Sequence, residues 1–81
     1  MILEKNFRKF LQDNLTWTEF EELPALLGES QKATTQLLND PTRGSIAQLT
    51  VIEKLLTGHN EAYDKDFILM NFNFGGVQQI A

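Results

Sequence analysis

Side chains able to do acid–base or metal chemistry are few in this sequence and poorly grouped. His59 is the one histidine. It sits beside Gly58 in a predicted loop, whereas a catalytic or metal-binding histidine needs partners within reach. It reads as a solvent-exposed loop residue. Ser30 and Ser45 stand where helices are expected to begin, and both are explained as helix caps. Glu61, Asp64 and Asp66 lack the fixed glycine of a calcium loop and read as the acidic start of a helix. With no cysteine there is no disulfide framework and no thiolate metal site. A glycine-rich phosphate loop is also missing. The expectation is a protein that is not an enzyme, with no metal and no cofactor. What remains is a group of hydrogen-bonding side chains, Gln31, Lys32, Thr35 and Gln36, left on one short helix for solvent or a partner.

The segment that must position this group runs from Phe20 to Leu56. Its centre reads as an apolar run from Leu23 to Leu27, then Gly28, Glu29 and Ser30, then a second amphipathic run. Gly28 can take the positive φ that ends a helix, and Ser30 can cap the next one. Two short helices joined by so tight a turn must cross steeply, which is helix-turn-helix geometry over residues 20–38. Thr16 with Glu19, and Thr18 with Glu21, each fit a capping box ahead of the first of these helices. Phe20, Leu23, Leu26 and Leu27 share its apolar face. Pro24 conflicts with an early start, because it has no amide hydrogen and crowds the carbonyl four residues back. A start near Glu21, or a kink, is therefore expected. The second helix, Gln31 to Leu38, turns Ala33 and Leu37 inward, with Thr34 beside them. Asn39-Asp40-Pro41 ends it, since the residue before proline avoids helical geometry. Residues 42–44 form a loop.

Three more helices are predicted around this pair. The first spans Ile2 to Asp13 with Leu3, Phe7, Phe10 and Leu11 in one stripe, and Lys5, Arg8 and Lys9 on the other side. The fourth occupies residues 45–56, capped by Ser45, with Ile46, Leu49, Ile52 and Leu56 buried and Val51 and Leu55 widening the stripe. The fifth spans residues 60–74 with Asn60 as its cap. Residues 75–81 are a tail. The core is expected to hold Phe7, Phe10, Leu11, Leu23, Leu27, Leu37, Ile46, Leu49 and Ile52. Trp17 is expected in core packing or as a lid over the first helix, with interface contact as the alternative. Phe67, Ile68, Leu69, Met70, Phe72 and Phe74 exceed one helical stripe, so residues 67–80 are expected to help form a homo-oligomeric contact, most simply a two-fold homodimer; the alternative is that the segment folds back as an irregular lid over helices 1 and 5.

Eighty-one residues make one small domain, spanning 1–81. Hydrophobic residues are 42% of the chain, enough for a packed core. No apolar run approaches the ~20 residues of a membrane span, so no membrane partner is expected. The N-terminus turns polar and charged at once, unlike a signal peptide. With the absence of cysteine, this leads to a cytoplasmic expectation. Net charge is −4, which opposes nucleic-acid binding in general, because phosphate contacts need Lys or Arg. The excess acid lies in Glu19, Glu21 and Glu22 and in the second half of the chain. Around Lys32 and Arg43 the balance is neutral.

From Leu15 to Leu56 the chain resembles the phage-repressor and Cro-like helix-turn-helix family. The residues that carry the likeness are Leu23 to Gly28, Ser30, Gln31 to Leu38, Asn39-Asp40-Pro41, and Leu49-Thr50-Val51-Ile52. Three residues depart from it: Pro24 within helix 2, Thr34 in place of a branched apolar anchor, and Asp40-Pro41 in place of Gly or Arg after the recognition helix. The resemblance implies an all-α, lambda-repressor-like domain of five helices that regulates transcription by binding double-stranded DNA. The DNA-facing set it implies is Ser30, Gln31, Lys32, Thr35, Gln36 and Arg43. Glutamine can pair bidentately with adenine, lysine can donate to guanine or phosphate, and a helix N-terminus can donate to phosphate. The alternative is a protein-interaction or assembly module on the same fold without DNA binding.

Overall fold

Each helix begins at a side chain that accepts the amide hydrogen of the residue three positions on. Five such caps are present in the computed structural model, which describes residues 6–76. Asn6 accepts from the Lys9 amide (3.0 Å) and starts α1, Phe7–Asn14. Thr16 accepts from Glu19 (3.1 Å) and starts α2, Trp17–Leu27. Ser30 accepts from Ala33 (3.1 Å) and starts α3, Gln31–Asn39. Ser45 accepts from Gln48 (3.1 Å) and starts α4, Ile46–Thr57. Asp64 accepts from Phe67 (3.0 Å) and starts α5, Lys65–Asn71. Short polar side chains compete with backbone for hydrogen bonds, which is why they sit at these starts. A 3-10 turn at Pro41–Arg43 links α3 to α4, and a glycine turn at Phe74–Gly76 follows α5. The domain is all-helical, with five helices and no strand among the described residues.

Several boundaries differ from expectation, each for a local reason. The described first helix starts at Phe7, because Asn6 is extended (φ −95°, ψ 104°) and spends its side chain as a cap. Leu3 and Lys5 lie outside the described residues. The second helix starts at Trp17, not near Glu21. Thr16 and Glu19 close a full capping box, with the Thr16 amide donating to Glu19 Oε1 at 2.8 Å. Helix α2 therefore runs through Pro24. Losing one helical bond there costs ~3 kcal/mol. The box contributes ~1 kcal/mol, and burying Leu23 and Leu27 adds ~1.5–3 kcal/mol each. The fifth helix is shorter than residues 60–74. Asn60 accepts from the Ala62 amide (2.9 Å) and its carbonyl from Tyr63 (3.0 Å), making a turn, not a helix start.

The core joins all five helices: Phe7, Leu11 and Leu15; Leu23 and Leu27; Leu37 and Leu38; Leu49, Ile52 and Leu56; Ile68 and Phe72; then Phe74. Two expected members differ. Phe10 is half-buried, packed on Tyr63 (ring centroids 5.0 Å), Phe72 (5.0 Å) and Phe67 (5.7 Å). Ile46, the first residue of α4, is 65% exposed, and the buried stripe of that helix begins at Leu49. The segment expected to need a second copy folds largely onto its own domain. Ile68, Phe72 and Phe74 are buried, Phe67 and Leu69 are half-buried, and Met70 is exposed. Phe74 packs edge-on to Phe7 (5.7 Å) and over Gly44, where a Cβ atom would lie 2.3 Å from its ring. Residues 77–80 of the expected dimer contact, and 77–81 of the tail, lie outside the described residues.

Candidate functional site

Helix α3 presents its polar residues in one arc. At about 100° per residue, Gln31, Thr35, Asn39, Lys32 and Gln36 cover roughly 140° of its circumference. Thr34, Leu37 and Leu38 are buried on the other side. All of the arc is exposed except Thr35, which is half-buried. Asn39 was not expected here. The proline at 41 suggested that the helix ended at Leu38, but Asp40 takes the non-helical position, and its amide closes the helix on Gln36 (2.9 Å) and Leu37 (3.2 Å).

The joint that aims this arc is locally built. Gly28 takes φ 69°, the Glu29 amide donates to the Pro24 carbonyl (2.9 Å), and the Gly28 amide donates to Ala25 (3.3 Å). These paired bonds satisfy the last carbonyls of α2. Ser30 then returns to extended geometry and caps α3. The joint is tied to α4 by Gln48 Nε2, which donates to the Leu27 carbonyl (3.3 Å) and to Glu29 Oε1 (3.2 Å).

The expected site residues fall into two neighbouring depressions. Gln31 and Thr35 border a hollow of about 550 Å³ shared with Arg8 and Gln12 of α1 and with Trp17, Glu21 and Pro24 of α2. Gln36 and Arg43 border a smaller one of about 210 Å³, with Glu29 and Gln48. Lys32 lies on the exposed arc between them, and Ser30 is used as the cap. Among the described residues Arg8, Lys32 and Arg43 form no ion pair, whereas Lys9 is held 3.1 Å from Asp13. Lys9 is thereby neutralised locally. Glu21 and Glu29 reduce the positive potential on either side of the arc.

One residue departs from its expected surroundings, and another is buried without a partner. Trp17 is 74% exposed at the rim of the larger hollow, neither in the core nor closing over α1. As the first residue of α2 it lies more than a turn and a half before the buried stripe that Leu23 and Leu27 form. Thr34 is 4% exposed, and its hydroxyl has no hydrogen-bond partner. A buried hydroxyl without a partner costs ~1–3 kcal/mol, so this position works against stability.

The exposed histidine is not isolated. His59 Nε2 lies 2.6 Å from Glu19 Oε1, joining the loop after α4 to the first turn of α2. The Thr16 amide, and then His59, hold the Glu19 carboxyl below the usual carboxylate range. Forty positions separate these two residues, and no short-range pattern signals such a pair. No cluster of three or more potential metal ligands exists among the described residues.

No family model matches the chain, and neither a curated protein nor a solved structure does. No helix of the described residues is long and apolar enough to cross a membrane.

Proposed function

We propose that this chain is a small DNA-binding regulator that lays α3 against the duplex. The observation that carries this reading is the exposed polar arc of α3, flanked by cations that make no ion pair within the described residues. Such cations remain available for phosphates, and amide side chains between them offer paired donors and acceptors for base edges. Lys32 supplies charge on α3 itself, with Arg8 on one side and Arg43 on the other. Three phosphate contacts is a small number, so binding is expected to be weak and to fall only shallowly with salt.

The test is binding to random-sequence duplex DNA, followed by selection of a preferred site, at low and moderate salt. If three cations each neutralise one phosphate, log K falls with log salt at a slope of about −3. Lys32→Ala flattens that slope by about one and weakens all sequences alike. Gln36→Ala costs ~1–3 kcal/mol on the preferred site and relaxes one base position. Absence of binding at low salt, or a Gln31/Lys32/Gln36 triple alanine variant with unchanged affinity, removes the proposal. A second reading, a protein-interaction module, is favoured by a different observation: Leu26 and Ile46 are exposed along α2 and α4.

A further inference from the structure

The hollow between α1, α2 and α3 is built by three helical stripes. Helix α1 gives Arg8 and Gln12, one turn apart. Helix α2 gives Trp17, Phe20, Glu21 and Pro24, spaced i, i+3, i+4 and i+7. Helix α3 gives Gln31, Thr34, Thr35 and Leu38 with the same spacing. The volume, about 550 Å³, falls within the ~300–1,000 Å³ of small-molecule sites. Trp17, Phe20, Pro24 and Leu38 make its walls apolar, as such sites require.

The polar groups around it are uncommitted. Among the described residues, the side chains of Arg8, Gln12, Glu21, Gln31 and Thr35 make no hydrogen bond or ion pair. Thr34, buried in the lining, keeps a hydroxyl without a partner. Pro24 has no amide hydrogen, so the Phe20 carbonyl lacks its helical donor. Arg8 and Glu21 are the charged residues of the lining, and they do not pair with each other. A simple anion in the hollow meets Glu21, and a simple cation meets Arg8. A ligand that carries both charges on an apolar body satisfies each of them.

We infer that this hollow binds a free α-amino acid with an aromatic or large apolar side chain. The ligand carboxylate takes the Arg8 guanidinium, a charge-assisted pair. The ligand ammonium goes to the Glu21 carboxylate and the Phe20 carbonyl. Its side chain lies against Trp17, Pro24 and Leu38. The Gln12 and Gln31 amides supply the remaining donors and acceptors. Binding of this kind needs no nucleic acid, so it stands or falls apart from the DNA reading.

Trp17 is the one tryptophan of the chain, so its fluorescence reports the hollow directly. Titration of the intact chain with phenylalanine or leucine should shift that emission saturably, with a Kd of about 0.1–1 mM. N-acetylphenylalanine lacks the ammonium and phenylalaninamide lacks the carboxylate, and each should bind about ten-fold more weakly. Arg8→Gln weakens phenylalanine binding about ten-fold and leaves that of phenylalaninamide unchanged. Glu21→Gln weakens phenylalanine equally and leaves N-acetylphenylalanine unchanged. Both positions are exposed, and circular dichroism melting checks that each variant keeps the fold. No saturable change at about 10 mM phenylalanine overturns the proposal. Derivatives that bind as well as the free amino acid overturn it too, as do charge variants that bind phenylalanine unchanged.

Discussion

The turn at Gly28 and the turn at Gly75 both rest on a glycine with positive φ, 69° and 66°, yet they are held in different ways. At Gly28 an added Cβ would meet nothing within 4 Å. That turn is closed by its own backbone bonds to Pro24 and Ala25 and by the Ser30 cap two residues on. At Gly75 an added Cβ would lie 3.1 Å from the Gly44 carbonyl, and the preceding Phe74 ring occupies the space a side chain at 44 would need. The first turn is mainly a local joint that orients α3, with one side-chain tie from Gln48 of α4. The second exists only once the Pro41–Gly44 segment, α1 and α5 are assembled. A joint of the first kind keeps its geometry through moderate losses of stability, whereas one of the second kind opens when its distant partners shift.

Substitutions can break this contrast. Phe74→Ala removes a fully buried ring and is expected to destabilise the fold by ~3–5 kcal/mol in denaturant melts. Protection of the α5 amides should be lost before that of α3, and equal loss at both sites would erase the distinction. Gly44→Ala has ordinary backbone (φ −74°) but forces a methyl into the Phe74 ring, so ~1–3 kcal/mol is expected from crowding alone. In Gly44→Ala/Phe74→Leu, most of that crowding loss should be recovered. Non-recovery would show that the ring is not the obstacle.

Gly28→Ala sharpens the comparison from the other side. It meets no obstacle, so only the left-handed backbone costs energy, ~1–2 kcal/mol. Asparagine, which tolerates that conformation, should cost less than alanine, and a reversed order would refute backbone conformation as the source of the cost. Ser30→Ala should cost ~1 kcal/mol by freeing the Ala33 amide.

The smallest effect expected is a pH dependence at Glu19. Its folded pKa is lowered, first by the Thr16 amide and then by His59, so folding favours its charged form. That stability is present above the ordinary carboxylate range and is lost as pH falls through the lowered folded value. His59→Ala removes the second cause and should narrow the window in which acid destabilises the protein. A shift of the Glu19 titration in the opposite direction, followed by NMR, would disprove the assignment.

The polar arc of α3 was largely legible from residue spacing, since a 3.6-residue period with an apolar stripe at Leu37 leaves Gln31, Lys32, Thr35 and Gln36 outside. Its flanking hollow was not, because Arg8, Gln12 and Trp17 reach it from other helices. Trp17 and Ile46 were misplaced for a shared reason. Apolar character predicts burial only where a neighbour covers the position, and both are first residues of their helices. The aromatic excess of residues 67–74 was assigned to a partner because one helix cannot bury it. The break at Asn73 (φ 30°) and Gly75 turns Phe74 back onto the domain, dividing the apolar residues between α5 and the turn.

The sequence by itself determined where most of these helices begin, the glycine joint between α2 and α3, and the inward stripe of α4. Caps, φ preference and periodicity act over three or four residues, so a linear reading contains them. Only the tertiary structure decided that Phe74 fills the space beside Gly44, that His59 meets Glu19, that Glu53 anchors the Lys65 amide (2.6 Å), and that Leu26 and Ile46 stay outside. Those outcomes depend on which surfaces meet after the helices form. Packing selects them by shape and space across twelve to forty or more positions, a distance over which no local preference acts.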